Sequence, residues 1–300
     1  MSGLREIWAK AVLVYAKTKQ TGQTIGREAL AEVLGVSDRM SGQLLFALRN
    51  RDIINYDPQR FDSSDGDVCL IMGDIHIPFQ DDAAIAAMLD YADSCQPNII
   101  TIMGDMLDFY QISTFSKHPI RSKRLFEEIT QGTEFLKMLR GRYPKARIIM
   151  YEGNHEARLT KYVLDKAPQL AELLDDFLPD KLKLKDAGVE YITTPFQIGK
   201  LWYLHGHEKG VGSYNPEYIT NVMMQYIYDH FIVLHYHRRQ DKVYKRIGNR
   251  YLRASAIGYL AGEMDYAKMN KWQQGFAIVR YHQDGEFSID NKTIINGQVY

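Results

Sequence analysis

Apolar residues follow two regimes along this chain, and the change comes near residue 67. Before it they recur at helical spacing: Leu4, Ile7, Trp8, Ala11, Val12 and Tyr15 mark one face of a first helix. A polar, glycine-containing stretch at 18–26 follows. A second helix is predicted from about residue 27 to 34, broken by Gly35. A third is predicted from a Ser37 or Asp38 cap through Leu48, and residues 51–61 read as a small wing.

From residue 67 onward the apolar positions come in short continuous runs. Residues 68–72 end at Gly73, and 99–103 end at Gly104. Residues 148–151 lead to Gly153, 201–204 end at His205, and 231–234 end at His235. Such runs fit strands buried on both faces. Helical stretches at 83–91 and 125–139 separate the early ones, so residues 67–300 are predicted to form an α/β domain. The polar residues 62–66 are the predicted linker, and residues 1–61 a separate helical domain.

Composition sharpens the compartment more than the fold. The 300 residues hold 45% hydrophobic and 25% charged side chains, which excludes a disordered or collagenous chain. Two cysteines, Cys69 and Cys95, exclude a disulfide framework and a cysteine-based zinc site, and a reducing cytoplasm is expected. The first residues lack the pattern of a secretory signal, and no stretch approaches the ~20 apolar residues of a membrane-spanning helix. No membrane partner is therefore expected. Lys and Arg number 37, as do Asp and Glu, so attraction to nucleic acid must come from local patches.

The chemistry leaves the strand ends. They deliver Asp74 and His76, then Asp105 and Asp108, then Asn154, His155 and Glu156, then His205 and His207, then His235 and His237. Six of the nine histidines lie there, whereas His118, His230 and His282 have no such context. Ligands gather beyond the carboxyl ends of strands in open α/β sheets. Imidazoles, carboxylates and an amide oxygen suit Mn, Fe, Zn or Ni better than Ca or Mg alone. So many such groups are too many for one ion and suit two.

These five blocks, in this order, resemble the calcineurin-like metallophosphoesterase family. The resemblance covers roughly residues 67–290. It implies two facing mixed sheets flanked by helices, a four-layer sandwich, with the small N-terminal helical domain added to it. It also implies two divalent ions, Mn²⁺ first among the candidates. Asp74, His76 and His237 would hold one ion, Asn154, His205 and His235 the other, and Asp105 would bridge them. His155 would stand over the leaving oxygen as a general acid, with Asp108 and Glu156 orienting the ligands. One position departs from the pattern: Leu234 stands where the family usually has glycine. His207 is expected to serve the substrate pocket.

Residues 27–46 resemble a helix-turn-helix, with Ala31 and Gly35 at the small and turn positions and Leu30, Leu34, Val36 and Leu44 in the core. Ser41 departs from that pattern. The first sixty residues hold nine basic and six acidic side chains, a mild excess, so a helical cap is the competing expectation. After the last block, residues 238–253 hold seven basic residues against the single acid Asp241, with Tyr244 and Tyr251 interleaved. Lys117, Arg121, Lys123 and Arg124 form a second basic cluster. Basic and aromatic side chains together suit a phosphate backbone and stacked bases. Arg158, Arg238, Arg239 and Lys242 are the expected substrate contacts. The leading expectation is a nuclease in a bacterial or phage-infected cell. The alternatives are a hydrolase of small phosphodiesters, nucleotides or phosphoproteins, and a nucleic-acid-binding regulator with a structural metal site.

Overall fold

The computed structural model describes Val14 and residues 26–37, 59–114, 125–170, 176–209, 216–262 and 271–300. The chain divides into two compact units, Met1–Asp57 and Pro58–Tyr300. In the first, helix α1 (Arg27–Leu34) starts after Gly26 and stops at Gly35, whose φ of 65° places it in the left-handed region. Leu30 is its fully buried residue. Apart from helical Val14, the first predicted helix lies outside the described residues, as do Ser41 and Leu44.

In chain order the second unit runs β1 (Arg60–Phe61), β2 (Val68–Met72), α2 (Asp82–Cys95), β3 (Ile99–Met103), α3 (Leu125–Arg142) and β4 (Arg147–Tyr151). Then come α4 (Ala157–Lys166), α5 (Phe177–Lys181), β5 (Val189–Ile192), β6 (Phe196–Ile198) and β7 (Leu201–Leu204). The rest is α6 (Ile219–Ile227), β8 (Phe231–Val233), β9 (Gln240–Lys245), β10 (Tyr251–Ala256), β11 (Gly275–Tyr281), β12 (Phe287–Ile295) and β13 (Gln298–Val299). They form two mixed sheets, ordered β13-β12-β11-β2-β3-β4-β5 and β1-β6-β7-β8-β10-β9.

The continuous apolar runs now have a cause, because each strand serves two cores at once. Leu70, Met72, Ile100, Ile102, Ile148 and Met150 pack with α2 and α3 residues such as Met88 and Leu136. Their neighbours Cys69, Ile71, Ile99, Met103, Ile149 and Tyr151 meet Tyr203, Ile232 and Leu234 of the other sheet. On that sheet's far side Phe231 and Val233 pack with Met223 and Met224 of α6. The order is helix, sheet, sheet, helix. A period-two alternation of face, with both faces apolar, appears in the sequence as an unbroken apolar run.

Local signals set the helix ends. Asp81 caps α2 by accepting from the Ala83 and Ala84 N–H groups. Glu127 opens α3 and Arg140 and Arg142 close it, as the helix dipole favours. Arg60 and Phe61, placed by sequence at the end of the helical domain, pair in parallel with Gln197 and Ile198. An edge of the second sheet is free to accept them there. Residues 62–66 turn beside β11, with the Gly66 N–H bonded to the Tyr281 carbonyl. Among the described residues no helix is long and apolar enough to cross a membrane.

Candidate metal centre

Strands β2, β3 and β4 run parallel, so their carboxyl ends open on one side. β7 and β8 are parallel in the other sheet. The first two turns are laced together: the Asp74 N–H donates to the Gly104 carbonyl, His76 to Asp105, and Ile77 to Met106. Asp74, His76, Asp105, His235 and His237 all have φ between 49° and 68°. A non-glycine residue in that region costs roughly 1–2 kcal/mol, so five strained positions here mark a functional site.

Carboxyl groups of the chain hold this backbone in place. Glu156 accepts from the N–H groups of Asp105, Leu107 and Gly153 at 2.8–2.9 Å. Asp105 Oδ1 accepts from the His155 N–H at 2.9 Å, and Asp74 Oδ2 from the His235 N–H at 2.8 Å. Gly153 is glycine because a Cβ there would collide with the Asp105 carboxyl and amide. Glu208, missed from sequence, accepts from the N–H groups of His205 and Gly206 and from the Tyr151 hydroxyl. Its signal was present: an acid three residues after a strand-end histidine.

Each imidazole is aimed by a partner on its other side. His205 Nδ1 donates to the Met103 carbonyl at 2.7 Å, turning Nε2 toward Asp105 Oδ2 at 3.3 Å and Asn154 Oδ1 at 3.1 Å. His76 Nδ1 donates to Asp108 Oδ1 at 3.1 Å, and its Nε2 faces His237 Nε2 at 3.4 Å. The His237 ring stacks on Tyr259 and meets Trp272 edge-on. Such orientation is what ligating histidines need.

Three groups of donor atoms lie mutually within 4.8 Å: Asp74, His76 and His237; His76, Asp105 and His155; and Asp105, His205 and His235. Asp74 Oδ1 is buried with no hydrogen-bond partner among the described residues. Burial opposes charge on His76 and His205. The Asp108 hydrogen bond and Asp105 outweigh it for His76, and Asp105 lifts His205 to about 10. His235 goes the other way, pushed to about 4 by burial and by the His205 charge. Buried carboxyls that favour positive charge on nearby imidazoles would favour a divalent cation in the same place, which would displace the imidazole protons on binding.

His155 is held differently. Its Nδ1 donates to the Asp108 carbonyl at 2.8 Å, and its Nε2 accepts from Arg158 Nη2 at 2.8 Å. Arg158 Nη1 donates to the same carbonyl at 2.7 Å. His207 belongs to none of the three groups, and its buried Nδ1 has no partner among the described residues. Leu234 is fully buried and fills the space over Gly73, where a Cβ would stand 2.6 Å from Leu234 Cδ2. The departure at 234 therefore leaves His235 among the donors.

The expected substrate cations after His237 are engaged by the protein itself. Arg238 lies 3.7 Å from Glu217, Arg239 donates to the Asn291 carbonyl at 2.9 Å, and Lys242 donates to Asn221 at 3.1 Å. His230 accepts from the Arg253 N–H, and His282 lies 3.4 Å from Ser288. His118, Lys117, Arg121, Lys123 and Arg124 lie outside the described residues.

The chain is 28% identical over 227 residues to the gene 54 protein of Mycobacterium phage L5, covering 70% of this chain and 87% of that protein. It is 29% identical over 147 residues to the gene 54 protein of Mycobacterium phage D29, covering 47% and 57%. Among solved structures it is similar to vacuolar protein sorting 29 from Cryptosporidium parvum, with 14% identity, 79% and 96% coverage and a TM-score of 0.44. A family model for calcineurin-like phosphoesterases matches residues 68–262. That match spans every strand-end turn of the centre, and the chain belongs to the calcineurin-like phosphoesterase family.

Proposed function

We propose that this chain hydrolyses phosphodiester bonds with two divalent ions, Mn²⁺ first among them, and that its substrate is polynucleotide. The observation that carries the hydrolytic reading is the meeting of donor groups on Asp105, with Asp74 Oδ1 buried beside them and without a hydrogen-bond partner among the described residues. Asp74, His76 and His237 would hold one ion and Asn154, His205 and His235 the other, with Asp105 within reach of both sets. Two such ions neutralise charge on phosphoryl oxygens and make water more acidic.

The chain's own groups do the rest. Although His155 lies within reach of the donors, the Arg158 guanidinium 2.8 Å from its Nε2 opposes a second cation there. When a substrate phosphate draws the Arg158 guanidinium away from Nε2, His155 Nε2 is free to take a proton from solvent and would pass it to the leaving oxygen, while Arg158 binds a phosphate oxygen. Asp108 orients His76 and His155 together. For polynucleotide, the support is the exposed basic hairpin that follows His237. Similarity to proteins of two mycobacteriophages also supports action in an infected host cell, where nucleic acid is abundant.

A smaller phosphoester is the second reading, favoured by one observation: Arg238, Arg239 and Lys242 are engaged by the protein's own groups. The test sets single-stranded DNA, duplex DNA, RNA and bis-p-nitrophenyl phosphate side by side, with Mn²⁺ and with EDTA. Mn²⁺-dependent cleavage of polynucleotide, lost in His155→Ala, supports the first reading. Turnover of the small ester alone supports the second. No turnover of any substrate with Mn²⁺ sinks both.

A further inference from the structure

Helix α3 carries one acid on its buried face. Glu128 is fully buried in the stripe that holds Ile129, Gly132, Thr133, Leu136 and Leu139. A carboxyl group in such a place costs stability unless it is hydrogen-bonded. Its Oε2 accepts from the Phe109 N–H at 2.8 Å, and its Oε1 has no partner among the described residues. Packing alone gives no reason for an acid here. Gly132, one turn later, already admits the 105–109 loop: a Cβ there would stand 2.7 Å from Leu107 Cδ2.

The peptide group that Glu128 grips is the one on which the proton-donating and phosphate-binding side chains depend. The N–H of Phe109 and the carbonyl of Asp108 belong to a single peptide plane. That carbonyl accepts from both His155 Nδ1 and Arg158 Nη1. Phe109 holds this plane with φ 47° and ψ 41°, a left-handed conformation that is unfavourable for a non-glycine residue. A hydrogen bond at its N–H opposes relaxation of that strain.

We propose that Glu128 is a positioning residue for this centre: its carboxyl group fixes the 108–109 peptide, and that peptide aims His155 and Arg158. The inference rests on the reading of those two side chains as substrate-facing groups. Glu128 itself touches neither substrate nor ion. Without its grip the peptide plane is free to turn, and both side chains lose their common acceptor.

The test uses the full chain with Glu128→Leu, which removes the acceptor, and Glu128→Gln, which keeps one. Turnover of bis-p-nitrophenyl phosphate is measured with Mn²⁺, together with Mn²⁺ affinity. Ring-nitrogen NMR of ¹⁵N-histidine protein, Zn²⁺-loaded and again after EDTA, reads the His155 Nδ1–H signal, assigned by its loss in His155→Ala. For Glu128→Leu the expected result is a kcat lowered roughly tenfold or more, with KM and Mn²⁺ affinity within about twofold, and loss of the protected Nδ1–H signal. Glu128→Gln is expected to recover most of kcat and the signal. If Glu128→Leu does not fold, Glu128→Asp, one methylene short of Phe109, takes its place with the same expectation. An unchanged His155 signal and kcat in the folded variant overturn the proposal, and so does a kcat that falls only in step with Mn²⁺ affinity. If the parent chain fails to hydrolyse the ester, the proposed function falls, and the His155 signal still decides the positioning role.

Discussion

The strand-end centre and the basic β9–β10 hairpin are neighbours in sequence and opposites in construction. In the centre, Asp74, His76, Asp105 and His205 are buried almost completely, and five residues sit in strained backbone. Nearly every side chain there is aimed by a partner that is distant in sequence. In the hairpin, Asp241, Val243 and Lys245 of β9 point outward, Ile247 stands fully exposed at the tip, and the ion pairs lie at the surface. Arg250 pairs with Asp229, and Lys245 lies over the Tyr251 ring. Strain and burial are kept only where surrounding structure fixes them. The first region therefore behaves as a unit, and the second as separate surface charges.

The largest effects are expected where one atom serves several partners. Asp105→Asn or His155→Ala should lower Mn²⁺-dependent hydrolysis of bis-p-nitrophenyl phosphate by roughly 10²–10⁴-fold. His155→Ala should keep the fold, as circular dichroism and thermal melting would check. Full activity in either purified variant would break the claim that the centre acts as a unit. Gly153→Ala tests the same claim through backbone, because its Cβ would collide with Asp105. Loss of most turnover is expected, with a lowered melting temperature.

Stability effects come next. Leu234→Ala removes a fully buried side chain that packs over Gly73, and should cost about 2–5 kcal/mol by urea denaturation. A near-zero cost would mean that the turn collapses to fill the space. Glu128 gives a pH signature. Burial raises its carboxyl from the ordinary 4.5 to about 8, with the Asp108 charge adding to the rise and the Phe109 N–H and Arg158 opposing it. A raised carboxyl pKa means that the folded chain binds the proton more tightly than the unfolded one. Its contribution is therefore full at low pH and lost as pH rises from about 4.5 to about 8. Glu128→Gln should flatten the fall in stability between those limits, and an equally steep fall would show that other groups cause it.

The same contrast explains what could be read in advance. Strands buried on both faces and glycine-ended turns leave a local mark, so the runs before Gly73, Gly104 and Gly153 were legible. Glu156 was legible because it lies inside a block. Glu128 was not, since its partner Phe109 is 19 residues away and nothing near it in sequence looks chemical. Its one signal was an acid in the apolar stripe of a helix. The hairpin is legible only in its charge: seven basic residues within one short stretch say nothing of the Asn291 carbonyl, 52 residues from Arg239, that accepts from its guanidinium. Local pattern records burial well and records the destination of a long polar side chain poorly.

The smallest effects on folding and on small-ester turnover are expected at the hairpin tip. Lys245, Arg246, Arg250 and Arg253 are exposed, and surface ion pairs such as Arg250 with Asp229 are worth about 1 kcal/mol or less. Changing all four to Gln should leave the urea midpoint nearly where it was. Hydrolysis of bis-p-nitrophenyl phosphate should also stay close to that of the parent chain. Polynucleotide binding is the readout that separates the two proposed substrates. For every phosphate that the variant no longer neutralises, the slope of log affinity against log salt should shrink by about 0.9 for duplex DNA, or about 0.7 for a single strand. A flattened slope with unchanged small-ester turnover would make the hairpin a backbone-binding arm beside an independent centre. An unchanged slope would leave these cations as solvated surface, and the small phosphoester would become the better substrate.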